Sequence, residues 1–425
     1  MRTTLFRNVR VIDGSGAAPF AAEVRVAGTR IAEIARDGKR LPAGEAEVID
    51  GAGATLMPGL IEAHGHLSFL DVARVEELAE TPPERHALKT VAMAKRLLDQ
   101  GFTAMVSAAA AKPRLDVEIR DAIAAGEIPG PRLLAASPEL TTSGGLGDIG
   151  QAPGFRETFA IVCDGADDFR RHARISCREG VDILKMNPSG DELVPHARAA
   201  RTTMSEAEMA AVVEVAEERG KRVAAHARSA EAVKRSLRVG VEILYHCTLV
   251  DEEAKDLLEA AKDRIFVAPT LGISYATLHE AAPWGIDRAK AEAMGVRHEL
   301  ESACAAMKDL HRRGVRVLPG GDYGFAWNPN GRNARDLDHF VTLLGFTPME
   351  AIVSATRLGG QIMRREHELG LVKEGYLADL LLVDGDPLAD IAILQDRGRL
   401  LAIMQDGKFH KRPAPDAAMR RVAAE

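Results

Sequence analysis

EAHGHL, residues 62–67, ends a strand-like apolar run with two histidines separated by one glycine. Successive side chains of an extended strand alternate faces, so His64 and His66 project one way and Gly65 the other. Two imidazoles on one face can hold a metal ion. At a strand end they are also compatible with ordinary polar residues, and the H-x-H spacing alone leaves both readings open.

Outward from this stretch, apolar strand-like runs alternate with helix-like segments, the pattern of a parallel sheet closed by crossover helices. Eight runs are legible: GLIEAH, FTAMVSAA, RLLAASP, VDILKMN, RVAAHA, VEILYHC, IFVAPTL and VRVLPGGD. Between them, SEAEMAAVVEVAEERG opens on a Ser cap and stops at Gly, and DEEAKDLLEAAKD carries helical apolar spacing behind an acidic first turn. Eight such units predict a (β/α)8 barrel. Before it, LFRNVRVID, EVRVAG, TRIAEIA, EVID and ATLMP read as short strands joined by turns, and LADLLLVDG, RLLAIMQ and DGKFH repeat that character near the other end. The two ends are expected to build one sheet-rich unit, residues 1–57 with 361–425, around a barrel over 58–360.

A chain of 425 residues is long enough for this plan, and 46% hydrophobic with 28% charged residues is ordinary for a globular protein. The net charge of -7 argues against a nucleic-acid surface. MRTTLFRNVRVIDGSG lacks the apolar core and cleavage site of a secretion signal, and no apolar run approaches the roughly 20 residues of a membrane span. A cytoplasmic location, with neither membrane nor nucleic-acid partner, is expected. The four cysteines, Cys163, Cys177, Cys247 and Cys304, form no C-x-x-C pair and suggest neither zinc knuckle nor disulfide framework. Cys247, next to a histidine on a strand, reads as a small buried hydrophobe.

Barrel chemistry sits at the carboxyl ends of the strands. The first run ends in His64 and His66, the fourth holds Lys185, the fifth ends in His226, the sixth in His246 and the eighth in Asp322. Taken singly, each has an ordinary structural explanation. Together they bring to one rim the N and O donors that Zn2+ or a similar divalent ion uses. Lys185 stands among Ile183, Leu184 and Met186, where an unpaired ammonium would cost several kcal/mol. Either a nearby Asp pairs with it, or the neutral amine adds CO2 to become a carbamate, an anion able to bridge two cations.

MPGLIEAHGH, DILKMN, VAAHARS, GVEILYHCTLVDEE, GGD and GLVKEGYLADLLLVDGDPL span almost the whole chain. In combination the sequence resembles the amidohydrolase superfamily, in its imidazolonepropionase-like branch with metal-dependent prolidases and ochratoxin-cleaving amidases. The resemblance implies an α/β fold, a distorted (β/α)8 TIM barrel with a composite β-sandwich from both termini. It also implies two divalent metal ions, zinc the first expectation. His64, His66 and Asp322 would hold one and His226 and His246 the other, with Lys185, N-carboxylated by CO2, bridging them. Two departures stand out: Glu62 where many relatives have Asp, and Leu146 in TSGGLGD where prolidase-like relatives often read GGHGD.

The expected reaction is hydrolysis of an amide or carbamate-type C–N bond in an N-acyl amino acid, peptide-like or aryl substrate. A metal-bridging hydroxide would attack, and Asp322 would serve as general acid/base. Trp327 and Trp284, with Tyr275, Tyr323 and Phe325, fall in segments after the seventh and eighth strands, and Arg228 follows His226 by two. Arg228, Tyr275, Tyr323 and Trp327 are the expected substrate contacts, for a small molecule that is bulky, aromatic or carboxylate-bearing. Arg198 and Arg201 are further candidates for a carboxylate. A homo-oligomer is expected. Two other readings are a mononuclear-metal deaminase or cyclic-amide hydrolase, and a noncatalytic barrel acting as an assembly module. The first is disfavoured by His226-Ala-Arg-Ser229, which lacks the H-x-x-E of such enzymes, the second by the presence of all six ligand positions.

Overall fold

The computed structural model describes residues 3–149 and 159–414. All eight expected barrel strands are there, in unequal condition. The first, Leu60–Gly65, pairs in parallel with Phe102–Ser107, which pairs with Arg132–Leu134. The third strand breaks at Ala135 and resumes as Ala136–Thr141, now paired with Ile183–Met186. Arg222–Ser229, Ile243–Leu249 and Phe266–Ala268 follow in order. The eighth is reduced to a bridge between Val267 and Val317, and the ring closes where the Ala63 N–H donates to the Pro319 carbonyl at 3.2 Å. The third strand runs on past the expected RLLAASP through Glu139 to Thr141, and an additional short strand, Ile161–Val162, pairs with its end.

Capping determines where the helices begin. Ser205 and Glu208 form a reciprocal capping box before Glu206–Glu218, and the Asp251 carboxylate accepts from the Ala254 N–H before Glu252–Ala260. Among the described residues, no helix is long and apolar enough to cross a membrane.

Strands from both ends form one eight-stranded sheet. Thr55–Pro58 pairs antiparallel with Leu380–Val383, joining the amino-terminal strands to Leu400–Gln405 and Lys408–Lys411. Alternation along these strands serves two cores. Leu380, Leu382, Ala402 and Met404 pack with Phe6, Val24 and Leu56 inside the sheet unit, whereas Leu381, Val383, Leu400 and Ile403 belong to the large core shared with the barrel helices. The barrel interior is a smaller cluster including Ile61, Ala104, Ile183, Ala224, Ile243, Tyr245 and Leu318, plugged from below by Ile362, Met363, Leu369 and Leu377.

The glycines of GGD are there for room. A Cβ on Gly320 would lie 2.7 Å from both the backbone nitrogen and the Cβ of His64, and one on Gly321 would meet the Tyr323 ring and the Asp336 carboxylate. Gly320→Ala should therefore push the eighth strand away from the first and cost about 1–3 kcal/mol as overpacking. Thermal unfolding that leaves the Tm where it was would reject this account of the ring closure.

Candidate metal centre and cavity

Lys185 and His226 are placed by plain alternation. Ile183 and Ala224 face the barrel interior, so the residues two further along each strand face it too, one layer nearer the rim. His246 needs a different device, because Tyr245 already faces inward. The backbone turns there: His246 has φ 72° and Cys247 φ 48°, and at the next two strand ends Thr270 and Asp322 both have φ 58°. Four non-glycine residues in the left-handed region at one rim is strain of about 1–3 kcal/mol each, the kind that clusters at functional sites. In the first strand a register irregularity between Glu62 and Gly65 takes in His64 and precedes His66. Gly65 faces Met105, as alternation predicts, and the imidazoles share the other side.

Three donor atoms meet there. His64 Nε2 and His66 Nε2 are 3.1 Å apart, and Asp322 Oδ1 lies 3.3 Å from the first and 3.1 Å from the second. His66 Nδ1 donates to the Ala109 carbonyl at 3.2 Å, so the tautomer assigned from this contact leaves a lone pair on Nε2. Burial holds His64 down to about 3 against the pull of Asp322, and it holds His226 and His246 well below the usual imidazole range. Burial alone would raise the Asp322 carboxyl, yet the two facing imidazoles hold it well below the usual range. Neutral His64, His226 and His246 beside an ionised Asp322 are the protonation states that metal ligands require.

His226 and His246 lie side by side with ring centroids 4.1 Å apart, and His246 is 5.5 Å from His64. His246 Nδ1 meets the Thr270 hydroxyl at 2.6 Å, while its Nε2 is buried without a partner. His226 Nε2 donates to the Gly190 carbonyl at 2.9 Å. The donor set fits divalent cations on two counts: two imidazole nitrogens and a carboxylate oxygen converge to about 3 Å, and a buried imidazole nitrogen of His246 is left without a partner.

Lys185 is 1% exposed, and its amine has the acidic partner that its surroundings demand: Glu139 Oε1 at 3.4 Å. The other oxygen of Glu139 accepts from Asn187 Nδ2 at 2.8 Å, and the same amide reaches the Leu146 carbonyl at 3.2 Å. Glu139 and Asn187 were not among the residues singled out in the sequence. The third strand-like run, RLLAASP, stops at Pro138, one residue short of Glu139.

His64, His66, Lys185, His226, Asp322 and Glu139 line one cavity of about 700 Å3, counted out to its open mouth. Its outer walls are Phe69, Val75, Phe159, Leu193, Val194, Ile273 and Phe325, with Leu146, Gly147 and Asp148 on one side and His196 at the rim. The four expected substrate contacts stand a layer behind these walls. Arg228 is fully buried, gripping Asp191 through Nε and Nη2 at 2.8 Å and Glu299 through Nη1 at 3.0 Å. Tyr323 donates its hydroxyl to Asp336 at 3.0 Å, Trp327 donates Nε1–H to Thr277 at 2.9 Å and stacks on Phe325, and Tyr275 packs between His279, His339 and Arg335. The polar groups of Arg228, Tyr323 and Trp327 are spent inside the protein, and phenylalanines make up much of the surface next to the centre. Cys247 is a fully buried thiol, as expected.

The amidohydrolase family profile matches residues 55–409. Ochratoxinase of Aspergillus niger is 26% identical over 382 residues, covering 84% of this chain and 76% of that protein. Among solved structures, a prolidase complexed with N-methylphosphonate-L-proline superposes with a TM-score of 0.86 at 28% identity, over 96% of this chain and 100% of the other. A Xaa-Pro dipeptidase with methionine bound in its active site gives 0.84 at 25% identity, over 96% and 100%. The resemblance read from the motifs, to the branch with prolidases and ochratoxin-cleaving amidases, is borne out. The chain belongs to the amidohydrolase family and is a hydrolase of carbon–nitrogen bonds.

Proposed function

We propose that the protein is a binuclear metal-dependent amidohydrolase that cuts the amide or carbamate-type bond of a small N-acyl amino acid, peptide-like or aryl substrate. The observation that carries the reading is the crowding of His64 Nε2, His66 Nε2 and Asp322 Oδ1 within 3.3 Å at the floor of an apolar cavity. His64, His66 and Asp322 would hold one ion, His226 and His246 the second, and Lys185 the bridge. When bound, such ions bring the pKa of water toward neutrality and polarise a carbonyl oxygen. The barrel over 58–360 carries the centre, and the unit of 1–57 with 361–425 supports it.

The remaining steps fall to side chains. Asp322 is ionised, only partly enclosed at 14% side-chain exposure, and the one carboxylate in contact with both His64 and His66. It takes the proton of the attacking water and delivers it to the leaving nitrogen. Phe69, Phe159 and Phe325 hold an apolar or aromatic substituent and keep bulk water from the reacting carbonyl. The names of the relatives support an amide with a carboxylate-bearing amino-acid half. Unmodified, Lys185 is neutralised by Glu139; carboxylated, it would set two anions side by side. Carboxylation and metal loading are therefore expected to occur together.

A screen of N-acyl amino acids, dipeptides, aryl amides, carbamates and lactones, run beside a metal count, tests the reading. Chelation should abolish all turnover, and activity surviving in metal-stripped protein would reject it. Asp322→Asn should keep the fold and lose about 10² or more in kcat; retention of more than about a tenth would remove Asp322 from the proton path. Lys185→Ala should bind one ion where the native chain binds two, with partial recovery in short carboxylic acids, and an unchanged elemental analysis would exclude the bridge.

A further inference from the structure

Away from the cavity floor, a second set of mixed donors comes together where the chain enters the helix Ala166–Arg178. Cys163 Sγ, a carboxylate oxygen of Asp168 and a ring nitrogen of His172 all lie within 4.8 Å of one another. Asp168 and His172 are four apart on the helix, hence on one face, with His172 Nε2 3.6 Å from Asp168 Oδ1. Cys163 is held opposite them because its N–H donates to the Thr141 carbonyl at 2.8 Å, extending the short strand Ile161–Val162. The thiol is 1% exposed and makes only a 3.8 Å contact with the Ile161 carbonyl, while the Asp168 and His172 side chains are 35% and 23% exposed. A buried sulfur therefore sits beneath two donors that solvent reaches, with an open side for water.

We propose that Cys163, Asp168 and His172 form a site for a thiophilic divalent cation such as Zn2+ or Cd2+, separate from the catalytic centre. One sulfur, one oxygen and one nitrogen with a water in fourth place is a donor set that zinc accepts, and side-chain movements of about 1 Å bring the three atoms to zinc distances. Binding replaces the thiol hydrogen: Cys163–SH and M2+ give Cys163–S–M+ and a proton, which passes to solvent. Without a cation the thiol stays protonated, because burial first, and then the carboxylates of Asp168, Asp164 and Glu208 against Arg171, push it up to about 12. Those same carboxylates draw the cation in.

The site borders the cavity wall. The Ser143 hydroxyl donates to Asp164 at 2.7 Å, the residue after Cys163, and Leu146, Gly147 and Asp148 beyond it line the cavity. A cation on Cys163 would tie the helix to the segment that carries this wall.

Cadmium distinguishes the two sites, because its charge-transfer absorption needs a thiolate and, among the described residues, no cysteine lines the cavity. Titrating the whole reduced protein, its catalytic centre already loaded with metal, with Cd2+ should give a near-ultraviolet band that saturates at one added equivalent and shields one thiol from a disulfide reagent. Cys163→Ser should abolish the band and leave hydrolysis unchanged, whereas Cys177→Ser and Cys304→Ser keep it. His172→Ala, a substitution at a partly exposed helix position, should weaken cadmium binding by about tenfold or more, since even partners behind a metal's own ligands cost that much. A wild-type protein without the band, a band that survives in Cys163→Ser, or equal affinity in His172→Ala would overturn the proposal. None of these readouts depends on which bond the enzyme cuts.

Discussion

Two imidazole nitrogens and a carboxylate oxygen converge to about 3 Å at the barrel rim, and the rest of the rim is arranged to hold them there. Neutral histidines are enforced by burial, since protonation would place unscreened charge in an apolar wall. The supporting contacts work to the same end: the Ala109 carbonyl turns His66, the Thr270 hydroxyl turns His246, and the Gly320 backbone lies close enough under His64 to exclude any side chain. A family that hydrolyses carbon–nitrogen bonds needs water made reactive at neutral pH, and this is the arrangement that a divalent ion can occupy to do so.

Around that centre the protein divides its polar residues in a consistent way. Arg228 and Glu299 behind the cavity wall and Asp191 within it satisfy one another, as do Tyr323 with Asp336 and Trp327 with Thr277. A buried guanidinium between two carboxylates is costly to disturb, so these contacts fix the loops rather than sample ligands. The surface left over is aromatic and aliphatic, suited to excluding water from a reacting carbonyl.

Strand alternation made much of this legible in the sequence. Lys185 and His226 follow inward apolar residues by two, His64 and His66 flank a glycine, and all eight strands lie where apolar runs predicted. Alternation fails at His246 and Asp322, whose inward positions depend on left-handed backbone that no residue type announces. It also says nothing about depth. Arg228, Tyr275, Tyr323 and Trp327 follow the ends of strand-like runs in chain order, but a sequence does not tell a wall from the layer behind it. Glu139 escaped notice because the third strand runs on past Pro138, where its apolar run stops, although a buried lysine called for a charged partner.

The pairing of Thr55–Pro58 with Leu380–Val383 has a consequence for how the chain is made. Thr55–Pro58 leaves the ribosome long before its neighbour Leu380–Val383, so Leu56 and Met57 must wait for that partner while the whole barrel emerges. Such distant pairing slows folding and leaves an open strand edge in the meantime. A nascent chain stopped short of Leu380 would carry a formed rim on an unfinished base, the state in which this protein is most exposed to chaperones and to aggregation.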